Sequence, residues 1–223
     1  GVPTAEAVVA LKTFAGIRRR MEVVGTAGGV TVIDDFAHNP DALQRALEAV
    51  GPGSDGRVIV VFGATGERDQ LKRPIMGRIA AEHADVVIVD CQQGAAEFFP
   101  VAALVAATAA LTTTFPSTKE LQGLPRTENV VAEVADSYNE DLALVAVVPC
   151  NVPPASAGRF YAEAVETLRS VYGELVTPTV RRSVVASRAY DQRVPLPIGA
   201  PTEAVTNDYR AVLSDLREKG VLP

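Results

Sequence analysis

The chain has 223 residues, with 27 acidic and 21 basic side chains and a formal net charge of −6. This charge disfavours non-specific attraction to nucleic acid and to anionic membranes, and no apolar run reaches the roughly 18–20 residues that span a bilayer. Hydrophobic residues make up 48% of the chain, and alanine and valine dominate them, as in soluble proteins built on parallel strands. We therefore expect a cytoplasmic protein with no membrane partner and no nucleic-acid partner.

Strand and helix patterns alternate along the first half. Apolar residues at helical spacing open the chain, a glycine-rich turn separates two short strands, and a proline begins the next helix. The predicted elements are, in order, a helix over 4–14, strands over 21–24 and 30–34, a helix over 40–50, a strand over 58–62, a helix over 74–83 and a strand over 86–89.

The same alternation continues in the second half. The predicted elements are a helix over 101–108, a strand over 111–115, a helix over 119–137, a strand over 142–149, a helix over 156–172, a strand over 175–177, and helices over 184–190 and 202–219, with a loop over 191–201. Buried strands that alternate with helices form parallel sheets covered on both faces. We therefore expect a three-layer αβα fold with a doubly wound, mostly parallel sheet of Rossmann-like or P-loop-like type and an N-terminal β-hairpin.

Two cysteines, Cys91 and Cys150, each follow a valine-rich strand pattern. We expect two reduced thiols, because a disulfide requires the two strand ends to be neighbours. No histidine stands close to either cysteine in the sequence, so we predict no metal site there.

Two loops at predicted strand ends carry groups suited to phosphate chemistry. The first, 35–40, places the carboxylate of Asp35 and the imidazole of His38 before a helix whose N-terminus can face an anion. The second, 63–69, is glycine-rich and is followed by Lys72 and Arg73. Strand ends of an open parallel sheet are where ligands bind.

These loops resemble the C-terminal domain of Mur ligases, a superfamily that includes folylpolyglutamate synthetase. The resemblance covers about residues 1–89 and rests on three motifs: Phe14-x-Gly16-x-x-Arg19-Arg20-Met21-Glu22-Val23, the run Asp34 to Leu43, and the run Gly63 to Gly77. The family joins an amino acid to a carboxylate through an acyl phosphate, using ATP and Mg²⁺. The resemblance implies that Asp35 and His38 lie beside the nucleotide, and that Lys72 and Arg73 lie near the closing interface.

Two features of that family are absent from this sequence. The phosphate-binding loop G-x-x-x-x-G-K-[ST] occurs nowhere, and the family's Asn-Pro-Arg type motif is replaced by Asp90-Cys91-Gln92-Gln93-Gly94. We therefore predict no catalytic residues and only a remnant of a nucleotide or anion site. Its residues are Asp35, His38, Asn39, Gly63, Thr65, Gly66, Arg68, Lys72 and Arg73.

Each of these residues also has a purely structural interpretation. His38 is suited to capping the helix that starts at Pro40 or to a hydrogen bond with the backbone. Asp35 is a favourable charge near a helix N-terminus. Lys72 and Arg73 are consistent with a solvated helix start.

From Ala84 onward the sequence resembles the C-terminal half of ParA-type partitioning ATPases. The resemblance rests on the runs 84–91, 114–124, 147–150 and 172–184 and on Tyr209. In that family a dimer encloses ATP, and this region contributes to adenine binding and to non-specific DNA contacts. The nucleotide loop of that family is also missing here.

The resemblance leaves two further sites open. Asp90 is a candidate remnant of a metal site, or a carboxylate that hydrogen-bonds the backbone at a strand end. Arg181, Arg182 and Arg188 form either a small basic face or an ion-paired surface.

We expect the two resemblances to meet in the strand 85–89, inside one continuous sheet and a single domain 1–223 with parts 1–84 and 85–223. The chain starts at Gly1 without methionine, which we interpret as a fragment or a processed chain. The favoured hypothesis is a non-catalytic scaffold, an engineered or recombined chimera that is not an enzyme and requires no cofactor, with weak ATP–Mg²⁺ or phosphate binding. The alternatives are an accessory domain of an ATP-dependent amino-acid ligase and a ParA-like module that forms a homodimer or binds a partner.

Overall fold

The computed structural model describes residues 2–11, 16–51, 56–63, 71–91 and 98–222. The strands are β1 (Glu22–Ala27), β2 (Val30–Asp34), β3 (Ile59–Phe62), β4 (Val86–Val89), β5 (Ala110–Thr114) and β6 (Leu144–Pro149). The helices are α1 (Thr4–Leu11), α2 (Pro40–Val50), α3 (Lys72–His83), α4 (Phe98–Ala106), α5 (Thr118–Ser137), α6 (Arg159–Tyr172), α7 (Val184–Gln192), α8 (Leu196–Gly199) and α9 (Ala204–Glu218).

The N-terminal hairpin forms as predicted. β1 and β2 pair antiparallel from Glu22 opposite Asp34 to Ala27 opposite Val30. Gly28 and Gly29 make the turn with φ of 56° and 80°. Positive φ at both central residues is the requirement of a type I′ turn, whose twist matches that of the strands.

The first parallel unit is β3–α3–β4. β3 and β4 pair in parallel, from Ile59 beside Val86 to Phe62 beside Val89. Buried side chains of α2 and α3 cover one face of this pair; they are Leu43, Leu47, Met76 and Ile79. The side chains that alternate with the covered ones point away, and Ile59 and Val61 remain 52% and 64% exposed.

The second parallel unit is β5–α5–β6. β5 pairs in parallel with β6, and Val147 of β6 makes a further bridge to Val176. Buried side chains of β6, α5, α6 and α9 form three hydrophobic clusters around β6 and the helices beside it. The amide of Asn139 fastens α4 to the end of α5 by donating to the carbonyls of Leu104 and Ala107, at 3.1 and 2.8 Å.

The mixed α/β fold with parallel strand pairs is confirmed. The described residues, however, do not form the single continuous sheet that the sequence predicts. Their hydrogen bonds make three two-stranded ladders, and β4 does not pair with β5 or β6. The buried clusters follow the same division, since one joins α2, α3, β3 and β4 and the others lie beyond residue 100. The hairpin nevertheless meets the C-terminal part, because Gly25 lies so close to Ile198 Cδ1 of α8 that an added Cβ would clash with it.

Two short elements differ from the prediction. The segment 175–177, predicted as a strand, begins inside a 3-10 turn over Gly173–Leu175 and pairs with β6 as an isolated bridge between Val176 and Val147. The predicted loop 191–201 contains the one-turn helix α8, which begins at Leu196 with a proline in its first turn, where a missing N–H costs nothing. Among the described residues, no helix combines the length and the apolarity needed to cross a bilayer.

Candidate functional site

The loop that follows β2 is closed by Asp35. One carboxylate oxygen of Asp35 accepts a hydrogen bond from the backbone N–H of Met21, and the other accepts from that of Ala37, both at 2.8 Å. The N–H of Phe36 donates to the carbonyl of Arg19 at 2.9 Å. Both carboxylate oxygens of Asp35 therefore shape the loop and join it to the entry of the hairpin.

His38 has a defined ring orientation. Its Nδ1 lies 3.1 Å from the carbonyl oxygen of Phe36, and a carbonyl only accepts, so Nδ1 carries the proton. In the neutral ring Nε2 of this exposed side chain is then an acceptor. Asn39 caps α2, since its side-chain oxygen accepts from the N–H of Ala42 at 2.9 Å.

Lys72 connects the start of α3 to the first predicted loop. Its ammonium group donates to the backbone carbonyl of His38 at 3.0 Å, although the two residues are 34 positions apart. Arg73 follows it in the first turn of α3 and is half-buried. Lys72 therefore links the start of α3 to the loop that precedes α2.

A cationic and aromatic cluster, which sequence reasoning did not identify as part of the site, lies beside this loop. The guanidinium carbons of Arg19 and Arg20 lie 5.0 and 5.3 Å from the centre of the Phe36 ring. The His38 ring lies 5.0 Å from the same centre, at an interplanar angle of 55°. The side chain of Arg19 also lies 3.7 Å from Asp34. The run of arginines before β1 was the sequence signal for this cluster.

Gly63 and Asp90 lie at the ends of β3 and β4. The N–H of Asp90 donates to the carbonyl of Phe62 at 2.9 Å, and a Cβ added to Gly63 would lie 2.9 Å from the carbonyl oxygen of Asp90. The close approach of the two strand ends accounts for glycine at this position. The other predicted residues of this loop, Thr65, Gly66 and Arg68, lie outside the described residues.

The carboxylates and thiols of the described residues do not form a metal site. No group of three or more His, Cys, Asp or Glu side chains there is placed to hold an ion. Cys91 and Cys150 are free thiols. Burial raises the pKa of both, and the charge of Asp90 raises that of Cys91 further. Both thiols are therefore weak nucleophiles at neutral pH.

In the second half, Arg181 is held in an ion pair. Its Nε and a terminal nitrogen donate to the two oxygens of Asp208 at 2.6 and 2.8 Å, and its backbone N–H also donates to Asp208. These hydrogen bonds hold the pKa of Asp208 below its usual range. The Arg182 side chain donates to Asn151 at 3.2 Å and lies over the Phe115 ring. The ion-paired interpretation of this surface is thus correct for Arg181.

A family model matches more than half of the chain. The model of the Mur ligase, glutamate ligase domain matches residues 19–147. The match begins at the arginine cluster, includes both loops, and continues past the predicted junction at 85–89 into β6.

Curated relatives match a shorter stretch. The UDP-N-acetylmuramoyl-L-alanyl-D-glutamate–2,6-diaminopimelate ligase of Chelativorans sp. is 53% identical over 90 residues, which cover 40% of this chain and 19% of that protein. The UDP-N-acetylmuramyl-tripeptide synthetase of Roseiflexus sp. is 44% identical over 89 residues, which cover 40% of this chain and 18% of that protein. The chain thus spans about a fifth of the length of these relatives.

Two solved structures share the architecture. Apo McdA of Cyanothece matches with a TM-score of 0.56 and 17% identity, covering 97% of this chain and 79% of that one. The cell division ATPase MinD of Pyrococcus furiosus matches with a TM-score of 0.53 and 15% identity, covering 67% and 59%. At these identities the likeness shows the fold alone.

The relatives correct one prediction. The missing phosphate-binding loop predicts a chain that is not an enzyme, and this prediction is wrong, since the curated relatives are named as ligases. The Mur ligase resemblance is confirmed, whereas none of the comparisons shows a chimera. The chain belongs to the Mur ligase, glutamate ligase domain family.

Proposed function

We propose that this chain is the nucleotide-facing accessory domain of a cytoplasmic ATP-dependent ligase that joins an amino acid to a carboxylate. The observation that carries the proposal is the ordered loop 35–40. Hydrogen bonds to Asp35 shape this loop, and a hydrogen bond from Lys72 links it to α3. The 53% identity to a named ligase over 90 residues supports the same reaction class.

The side chains beside this loop fit a phosphate-bearing ligand. Three cationic side chains lie beside the loop that precedes α2, namely Arg19, Arg20 and Lys72. The N-terminus of α2 adds a partial positive charge. In this proposal Arg20 holds the phosphates, His38 presents Nε2 as an acceptor, and Lys72 holds the backbone of the loop. When bound, ATP supplies the phosphoryl group that activates the carboxylate.

Calorimetry with ATP–Mg²⁺ tests this function. We expect the chain to bind, and Arg20→Ala to raise the dissociation constant about tenfold, because a charged hydrogen bond contributes about 1.5–3 kcal/mol. His38→Ala should weaken binding as well. The matched control is Lys119→Met, which removes a cation from the first turn of α5, far along the chain from this loop. No heat from the wild-type chain at millimolar nucleotide would reject the proposal.

We also propose that the chain is one domain made of two parts, 1–84 and 85–223, of different ancestry. The separate hydrophobic clusters and the 40% of the chain matched by curated relatives support it. A ligase sequence that aligned through residue 222 at the identity seen over those 90 residues would contradict the two ancestries. The homodimer stays a prediction.

A further inference from the structure

The first turn of α3 carries positive charges, which the N-terminus of a helix disfavours. Lys72 and Arg73 occupy its first turn, which contains no acidic residue, and Leu71 before it gives no side-chain cap. The N-terminus of a helix carries a partial positive charge, which disfavours cations there.

The ammonium group of Lys72 has a backbone target. It lies 3.0 Å from the carbonyl oxygen of His38, the residue directly before the cap of α2. The other hydrogen bonds described for this loop come from the loop itself or from the entry of the hairpin. Lys72 thus ties the loop to the start of α3.

The same contact controls where the His38 ring lies. The ring is already fixed to the carbonyl of Phe36 through Nδ1, so its direction follows the main chain over 36–38. A donor on the His38 carbonyl holds that main chain. Loss of the donor therefore moves the imidazole without removing any atom from it.

We infer that Lys72 is a positioning residue, which acts on the ligand through the backbone of the His38 loop. This inference rests on the proposed nucleotide-facing function. It predicts that removal of the Lys72 ammonium group lowers the affinity for ATP–Mg²⁺, because the backbone of the loop then loses the hydrogen bond that holds it.

Imidazole NMR of the 15N-labelled full chain tests this directly. The chain has two histidines, and His83 makes the same kind of Nδ1–carbonyl contact, with Ile79 at 3.0 Å. It is therefore an internal reference in the same helix as Lys72. We expect Lys72→Met to shift the His38 ring signals, to leave those of His83 in place, and to raise the dissociation constant for ATP–Mg²⁺ about fivefold. Lys72→Arg should restore both properties, because a guanidinium also donates to a carbonyl.

The control and the opposing outcomes separate the two proposals. Lys119→Met should change neither the ring signals nor the affinity. Unmoved His38 signals in Lys72→Met would overturn the inference, whether or not affinity falls. Joint movement of the His38 and His83 signals would also overturn it, because α3 as a whole would then be disturbed. If the His38 signals move in Lys72→Met but the wild-type chain binds no ATP–Mg²⁺, the role of Lys72 in positioning the loop stands. The nucleotide-facing function is then rejected.

Discussion

At the scale of single residues, glycines mark where backbones approach too closely for a side chain. Gly63 faces the carbonyl of Asp90 across the ends of β3 and β4, and backbone atoms cannot rotate away as a side chain can. Gly77 in α3 shows the opposite case, since an added Cβ there meets nothing within 4 Å. The two positions lie in the same strand–helix–strand unit and differ in this one respect.

This difference predicts opposite effects for the same substitution. Gly63→Ala should lower the free energy of unfolding by about 1–3 kcal/mol, because the strand ends must separate. Gly77→Ala should raise it by about 0.5–1 kcal/mol, because alanine favours the helix. Urea unfolding followed by circular dichroism measures both changes. Equal effects from the two substitutions would refute the close approach at Gly63.

At the scale of elements, helix-capping and turn residues that are neighbours in the sequence predict well where a helix or a strand begins. Asn39 and Pro40 predict the start of α2, and the helix spans Pro40–Val50 as expected. Contacts between distant residues are not visible in this way. The Lys72–His38 bond and the stacking of Arg19 on Phe36 depend on how the elements pack. The sequence therefore predicts where elements begin better than it predicts which distant residues come into contact.

The ion pair between α9 and the segment before α7 gives a prediction about pH. Because the pKa of Asp208 is lowered in the folded chain, its stabilising effect is present above the unfolded value of about 3.9 and is lost as the pH falls through the folded value. Asp208→Asn should be less stable than the wild type at pH 7, and the difference should shrink below about pH 4.

The matched control is Asp215→Asn in the same helix, where the carboxylate pairs with Lys219, the residue directly after α9. Urea unfolding at a series of pH values should show a small effect of this change. A difference between Asp208→Asn and the wild type that stays constant down to pH 3 would show that the carboxylate does not titrate as described.

At the scale of the whole molecule, the contact between Gly25 and Ile198 joins the hairpin to the C-terminal part. The side chain of Ile198 can rotate, so an added methyl group is tolerated more easily than a branched side chain. We expect the wild-type chain to unfold in one calorimetric transition. Gly25→Val should lower its midpoint, and Ile198→Ala in the same chain should recover part of the loss, with a coupling energy of about 1 kcal/mol.

Two separate transitions in the wild type would contradict the single domain. Additive effects of the Gly25 and Ile198 substitutions would show that the hairpin and α8 do not depend on each other.

The uncovered face of β3–β4 has a consequence for handling the protein. Ile59 and Val61 project from this face, and exposed apolar patches promote association. At neutral pH the net charge of −6 keeps molecules apart. Mild acidification removes that mutual repulsion, so we expect stock solutions to turn cloudy as they approach the isoelectric point.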